Sequence, residues 1–403
     1  GHGLGFTLNF DFEQPPVIYP TDFLNQQTSM LSIGGIDLEI QHTPGETDDQ
    51  IIIYYPEKDV VISADNYYMR FPNLYTIRGT SYRDTKSWYK SVDAMRSYKP
   101  DFLISCHGPF LTGEKIIEER LTIYRDAIQY IHDYAVRGAN LGKTPDELVE
   151  NFEYPSFFLE NYDLQEKYGK VSWSIRNVYN GYLGFFDGKA VNLEPLSAHK
   201  RAKHIFELIG SKEQLISEIN KANQSKNYQW AAELSDVGLL NFPNDDQIKN
   251  LYSISLENLS LVETNPIARN YYLSEAYELT NKINPSLEYT VSAEQAKNIP
   301  LSTFFDAMGP RLNSEKAKNK LIKIGFNITD SDEKFGVIVR NQIAEISNSY
   351  DDSFDVIVSV DSNTWKGIVL KTVSAVQAIA SGKLKIDGES IKFLQFSSLF
   401  NND

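Results

Sequence analysis

The segment from His42 to Asn66, HTPGETDDQIIIYYPEKDVVISADN, constrains the fold of this chain more than any other stretch. Its apolar run Ile51–Tyr55 is short enough for a buried strand, Pro56 to Asp59 reads as a turn, and Val60 to Ile62 as a second buried strand. Acids stand at the strand ends: Glu46, Asp48 and Asp49 before the first, Asp65 directly after the second. Carboxylates so placed either face solvent or converge on something positive, usually a metal.

The flanking sequence extends this alternation. Leu31 and Ile33 lead into Gly34-Gly35, and Ile36, Leu38 and Ile40 alternate outward again, which predicts a hairpin with the glycines in the turn. After Asp65 comes an aromatic-rich stretch, NYYMRFPNLYTIRG, read as a loop. Asp84 is placed to cap a helix whose inward positions are Trp88, Val92 and Met95. A third short strand, Phe102 to Ile104, ends at Cys106-His107-Gly108-Pro109. Strands alternating with helices, with polar residues at strand ends, predict an α/β layered domain.

From about residue 116 the pattern turns helical. Ile117, Leu121, Tyr124, Ile128, Ile131 and Ala135 form one apolar stripe, and a helical pair starts at Ser211, with Ser211 and Gln214 as an expected capping box. Beyond Pro285 three alternating runs, Ile322–Ile328, Phe335–Val339 and Phe354–Val360, predict half-buried antiparallel strands. Asp361 or Ser362 then caps a helix through Trp365, with helical stretches near Val373–Ile379 and Ile391–Phe400. This part reads as α+β with helices over one sheet face, enclosing either a filled core or an apolar groove.

The 403-residue length suggests two or three domains. A formal charge of −15 without a basic cluster argues against nucleic acid or an anionic membrane surface as partner. The single Cys106 excludes internal disulfides and leaves the compartment open, periplasmic or secreted as well as cytoplasmic. No run of about twenty apolar residues is present, so no membrane span is expected. The opening GHGLGFTLNF reads as the middle of a domain, and the chain is expected to be the C-terminal portion of a longer protein.

Glu46, Asp65 and His107, each at or past a predicted strand end, supply the oxygen and nitrogen donors that suit zinc. The plainer alternative is a solvated acidic loop, a turn cap and a His-Gly-Pro turn. Asn73 and Arg78 suit an oxyanion, through an amide and a forked cation, unless they are ordinary loop residues. Tyr67, Tyr68, Phe71 and Tyr75 either line an apolar channel or pack the loop against the domain. His42 is accounted for by its Thr-Pro-Gly turn, and His132, His199 and His204 are expected to be solvated.

HTPGETDDQIIIYYPEKDVVISADN resembles the metallo-β-lactamase fold, with Glu46 in place of a turn histidine as in the alkylsulfatase branch. NLYTIRGTSYRD (Asn73–Asp84), RDAIQYIHD (Arg125–Asp133), YGKVSWSIRNVYNGYLGFFDG (Tyr168–Gly188) and ARNYYLSEAYEL (Ala268–Leu279) resemble alkylsulfatases in the family's order. The resemblance implies a partial αββα catalytic domain over residues 1–135, a helical dimerisation domain over 136–285 and a sterol-carrier-like α+β domain over 286–403. It further implies a homodimer that hydrolyses alkyl sulfates or similar amphiphiles at a two-zinc site using metal-bound hydroxide. By position Glu46 binds one zinc, Asp65 bridges both, His107 binds the second, and Asn73 and Arg78 hold the sulfate. The family's His-x-His-x-Asp-His cluster is not in this sequence, whose six histidines stand at 2, 42, 107, 132, 199 and 204. Asp65 stands where alkylsulfatases usually carry Glu, Cys106 replaces the first of two adjacent histidines, and Trp173 stands where a histidine follows Val-Ser. The 403 residues alone are therefore expected to lack sulfatase activity. Two other functions fit the pattern: a dimeric scaffold or apolar-ligand carrier with a vestigial hydrolase domain, and a hydrolase of a different ester.

Overall fold

The computed structural model describes residues 20–281 and 296–400. Residues 24–281 form one compact unit, and residues 296–400 belong to a second.

Among the described residues the first unit holds a six-stranded sheet in the order β1 (Thr28–Ile33), β2 (Ile36–His42), β3 (Ile51–Tyr55), β4 (Val60–Ala64), β5 (Phe102–Ser105) and β6 (Leu111–Thr112). Gly34 and Gly35 make the β1–β2 turn at φ +59° and +82°, a left-handed pair that glycine adopts without strain. All neighbours are antiparallel except β4 and β5. That parallel pair is joined by α1 (Thr85–Ser97), which the Asp84 carboxylate caps by accepting from Lys86 N. The long helix α2 (Glu114–Asn140) follows β6.

Side-chain alternation in the strands sends Ile52, Val61, Leu103 and Leu111 to one face, where they pack with Trp88, Val92 and Met95 of α1. The expected α2 stripe is buried throughout, from Ile117 to Ala135. The core continues past α2 to Val171, Ile175 and Val178 of α5 (Val171–Leu183), through α3 (Pro145–Glu150) and α4 (Ser156–Glu160). His132 departs from expectation. It is buried, with Nδ1 2.8 Å from the Asp133 carboxylate and Nε2 2.8 Å from the Tyr182 hydroxyl, because α5 packs against the flank of α2 that the stripe alone leaves open. On the opposite sheet face, registers align Ile40 with Ile53, Ile53 with Ile62, and Ile62 with Ile104. Ile62 and Ile104 are exposed there.

Among the described residues the unit continues with five helices: α6 (Ala198–Ile209), α7 (Lys212–Gln224), α8 (Tyr228–Asn241), α9 (Asp246–Val262) and α10 (Pro266–Leu279). Ser211 caps α7 by accepting from Gln214 N, which is half of the expected box.

The second unit holds a mixed sheet in the order β11 (Leu384–Gly388), β10 (Val356–Val360), β7 (Ile322–Ile328), β8 (Lys334–Arg340) and β9 (Ile343–Ser347). Sequence reasoning found β7, β8 and β10 but read all three as antiparallel; β10 runs parallel to β7. Asn341 and Gln342, both at positive φ, turn the chain back into β9, which takes the antiparallel place beside β8. Asp361 caps the helix Ser362–Val369 by accepting from Thr364 N. Phe305, Trp365, Phe393 and Phe396 pack against the sheet. Helices also enclose a cavity of about 340 Å³ lined by Trp365, Phe396, Phe400, Arg311 and Lys371. Among the described residues no helix is long and apolar enough to cross a membrane.

Candidate functional site

Two of the expected donors meet at the C-terminal ends of the parallel pair. Asp65 follows β4, where Ala64 sits at φ +49° beside a register shift between Ile62 and Ala64. A non-glycine residue in that region carries strain that the surrounding structure must hold, a feature common at functional sites. His107 follows β5, and its Nδ1 lies 2.7 Å from Asp65 Oδ1. The adjacent Asp65 carboxylate pushes the His107 imidazole above its usual pKa.

Glu46 belongs to the turn after β2, and Asn66 ties that turn to the Asp65 turn. Asn66 Nδ2 donates to Thr43 O at 2.6 Å, its Oδ1 accepts from Glu46 N at 3.4 Å, and its carbonyl accepts from Trp88 Nε1 at 3.0 Å. Gly45 lies so close to the Asn66 amide and the Trp88 ring that a Cβ there would collide with them. The Glu46 side chain is buried. Burial raises its carboxyl above the usual range, outweighing the lowering by Arg83, and Asp65 pushes upward as well.

Arg83 links this carboxylate to the oxyanion candidate. One guanidinium nitrogen, Nη1, donates to Glu46 Oε1 at 2.9 Å and to the Asn73 carbonyl at 2.6 Å. Asn177 Nδ2 steadies the same loop through Leu74 O at 2.9 Å. Asn73 itself is fully buried, its backbone N donates to the Tyr68 hydroxyl at 2.7 Å, and among the described residues neither of its amide atoms has a partner. A buried primary amide left wholly unpaired costs free energy, which a bound hydrogen-bonding group would recover. Arg78 Nη2 donates to the Tyr168 hydroxyl at 3.3 Å.

The four aromatic candidates separate. Tyr67, Tyr68 and Phe71 lie in the core, with Tyr67 donating to Asp163 at 2.9 Å, so they pack the loop against the domain. Tyr75 is exposed and lines a cavity of about 360 Å³ with Tyr82, Trp173, Arg176 and Asn177. Among the described residues no group of three or more His, Cys, Asp and Glu side chains is arranged to hold a metal. Glu46, Asp65 and His107 thus share a neighbourhood and the right donor chemistry without closing into a ligand set. His42 Nε2 lies 2.7 Å from the Asp48 carbonyl, inside its own turn, and Cys106 is exposed.

Sequence reasoning did not single out Asn66, Arg83, Tyr168 or Asn177. Arg83 had a usable signal, a second arginine inside NLYTIRGTSYRD.

Three family models match in succession: the metallo-beta-lactamase superfamily over residues 3–107, alkyl sulfatase dimerisation over 144–282, and alkyl sulfatase C-terminal over 289–403. A linear primary-alkylsulfatase of Pseudomonas sp. (strain ATCC 19151) is 32% identical across 95% of this chain and 75% of its own length. An alkyl/aryl-sulfatase of Saccharomyces cerevisiae is 28% identical across 96% of this chain and 60% of its own. Among solved structures, the stereoselective inverting sec-alkylsulfatase Pisa1 from Pseudomonas sp. superposes with a TM-score of 0.91 at 26% identity, covering 96% of this chain and 62% of that one.

Proposed function

The chain belongs to the alkylsulfatase family, and from that premise we propose that it serves the hydrolysis of alkyl sulfate esters to alcohol and hydrogen sulfate. The observation that carries this reading is the buried Asn73 side-chain amide, unpaired on both atoms among the described residues, on a residue whose backbone carbonyl Arg83 ties to the Glu46 carboxylate. Asn73 Nδ2 donates to one sulfate oxygen and the Arg78 fork to others, which orients the ester and neutralises its charge. Tyr75 and Trp173, lining the adjacent cavity, are suited to an alkyl chain. Trp173 offers an indole where the family pattern has an imidazole.

Glu46, Asp65 and His107 would hold zinc, two ions per site, with further donors completing the set. When bound, zinc acidifies a coordinated water and offsets charge developing on the ester. Arg83 then keeps the Glu46 carboxylate from rotating away, as residues behind metal ligands commonly do. The proposed organisation is a catalytic region over 1–135, a helical dimerisation region over 136–285 through which two copies associate, and a sterol-carrier-like region over 286–403.

The assay, on the protein as its own gene encodes it, is release of inorganic sulfate from dodecyl sulfate, with zinc measured on the same sample. Glu46→Ala should abolish both bound zinc and turnover. Turnover that survives this substitution refutes the assignment of Glu46. The cavity of about 340 Å³ in the second unit favours a second reading, a carrier of apolar ligands. That reading requires binding of an apolar probe in the absence of any zinc or turnover.

A further inference from the structure

The corner between α9 and α10 is built against the loop that backs the anion grip. Asn265 is fully buried in this corner. Its Oδ1 caps α10 by accepting from Ile267 N and Ala268 N at 3.0 and 3.1 Å. Capping uses only the carbonyl half of the amide. The Nδ2 half points the other way, to three carbonyls of one loop: Glu166 at 3.0 Å, Tyr168 at 3.2 Å and Gly169 at 3.2 Å. Glu263 reinforces the corner, accepting from Asn265 N at 2.8 Å and pairing with Lys170.

That loop and its neighbour Gln165 make five contacts with the segment Tyr68–Arg78 that carries the grip. Gly169 N donates to Phe71 O and Phe71 N donates to Gln165 O, both at 3.1 Å. A Cβ at Gly169 would collide with the Pro72 carbonyl, so the two backbones are in direct contact. The Tyr168 hydroxyl accepts from Arg78. The Tyr168 ring packs edge-on against Tyr68, with centroids 5.6 Å apart, and the Tyr68 hydroxyl holds Asn73 N.

We propose that Asn265 is a positioning residue for anion binding: its Nδ2 fixes the loop 166–169, and that loop sets Asn73 and Arg78 for the sulfate group. The inference rests on the reading of Asn73 and Arg78 as the sulfate grip. It makes the α9–α10 corner part of the site's scaffold, beyond any role in association.

Asn265→Ser separates the two halves of the amide, because serine remains a good N-cap yet does not reach the three carbonyls. Titration calorimetry of the full chain with inorganic sulfate is the readout, alongside helix content by circular dichroism. Wild type should bind sulfate, Asn73→Ala should lose it, and Asn265→Ser should bind roughly fivefold to tenfold more weakly at unchanged helix content. Tyr168→Phe, which removes only the hydroxyl facing Arg78, should weaken binding by a smaller factor, and it decides the matter if Asn265→Ser does not fold. Wild-type affinity in both variants, with Asn73→Ala still defective, overturns the inference and leaves the sulfate grip standing. If wild type does not bind sulfate, or Asn73→Ala binds it normally, the grip fails and this inference with it.

Discussion

A buried carboxylate survives only with compensation, and among the described residues Glu46 has a single cationic partner within hydrogen-bonding distance, Arg83 at 2.9 Å, on side chains 10% and 8% exposed. Removing one member strands the other in a poorly solvating interior. Arg83→Met should therefore destabilise the first unit by roughly 3–5 kcal/mol, and adding Glu46→Gln should recover part of that loss; denaturant unfolding of the single and double variants measures both. Gly169→Ala, which forces the loop off the Pro72 carbonyl, should cost on the order of 1–3 kcal/mol in the same assay. At this scale the sequence was readable for where the donor residues stand along the fold. Glu46, Asp65 and His107 stood at the ends of short apolar runs, and strand ends are where such groups gather. Asn73 was named from the sequence but its burial was not, and Arg83 was missed, because burial of a polar side chain comes from distant segments such as Asn177 and carries no local periodicity.

Elements are governed by pattern and by caps. The α2 stripe was legible since one face of a long helix needs a continuous apolar row, and the structure buries every member. Ile128→Ala should accordingly destabilise by roughly 2–5 kcal/mol, read from the denaturation midpoint. Asp245 caps α9, accepting from Gln247 N and Ile248 N, and pairs with Lys212. The Lys212 hydrogen bond first, and the backbone N–H of Ile248 next, hold its carboxyl below the usual range. With the folded pKa below an unfolded value of about 3.9, this stabilisation is complete above about pH 4 and is lost as pH falls through the folded pKa. Asp245→Asn keeps the cap without the charge, so its stability deficit against wild type should shrink as pH drops below about 4. The edge strand β9 escaped sequence reasoning because an edge strand buries too little to enforce alternation. The parallel alignment of β10 with β7 escaped too, being decided by which neighbour is free once the Asn341-Gln342 turn has placed β9.

For the molecule as a whole, the order of the elements was legible, while the geometry of the site was not. The sequence of family matches follows the order of the structural parts, from layered sheet through helices to mixed sheet. A site assembled from several strand ends, by contrast, depends on every contributing segment at once. The helical region carries exposed Leu208, Leu261 and Val262, and association through it predicts twice the chain mass in light scattering, shifting toward one chain mass in Leu261→Asp. The proposed zinc-dependent sulfate-ester hydrolase holds its metal with Glu46, Asp65 and His107 and its substrate with Asn73 and Arg78. It is tested most directly by measuring dodecyl sulfate hydrolysis in the protein as its own gene encodes it, before and after chelation and with Glu46→Ala. Zinc-restorable release of sulfate that Glu46→Ala abolishes is expected; release that persists through chelation and through Glu46→Ala overturns the assignment.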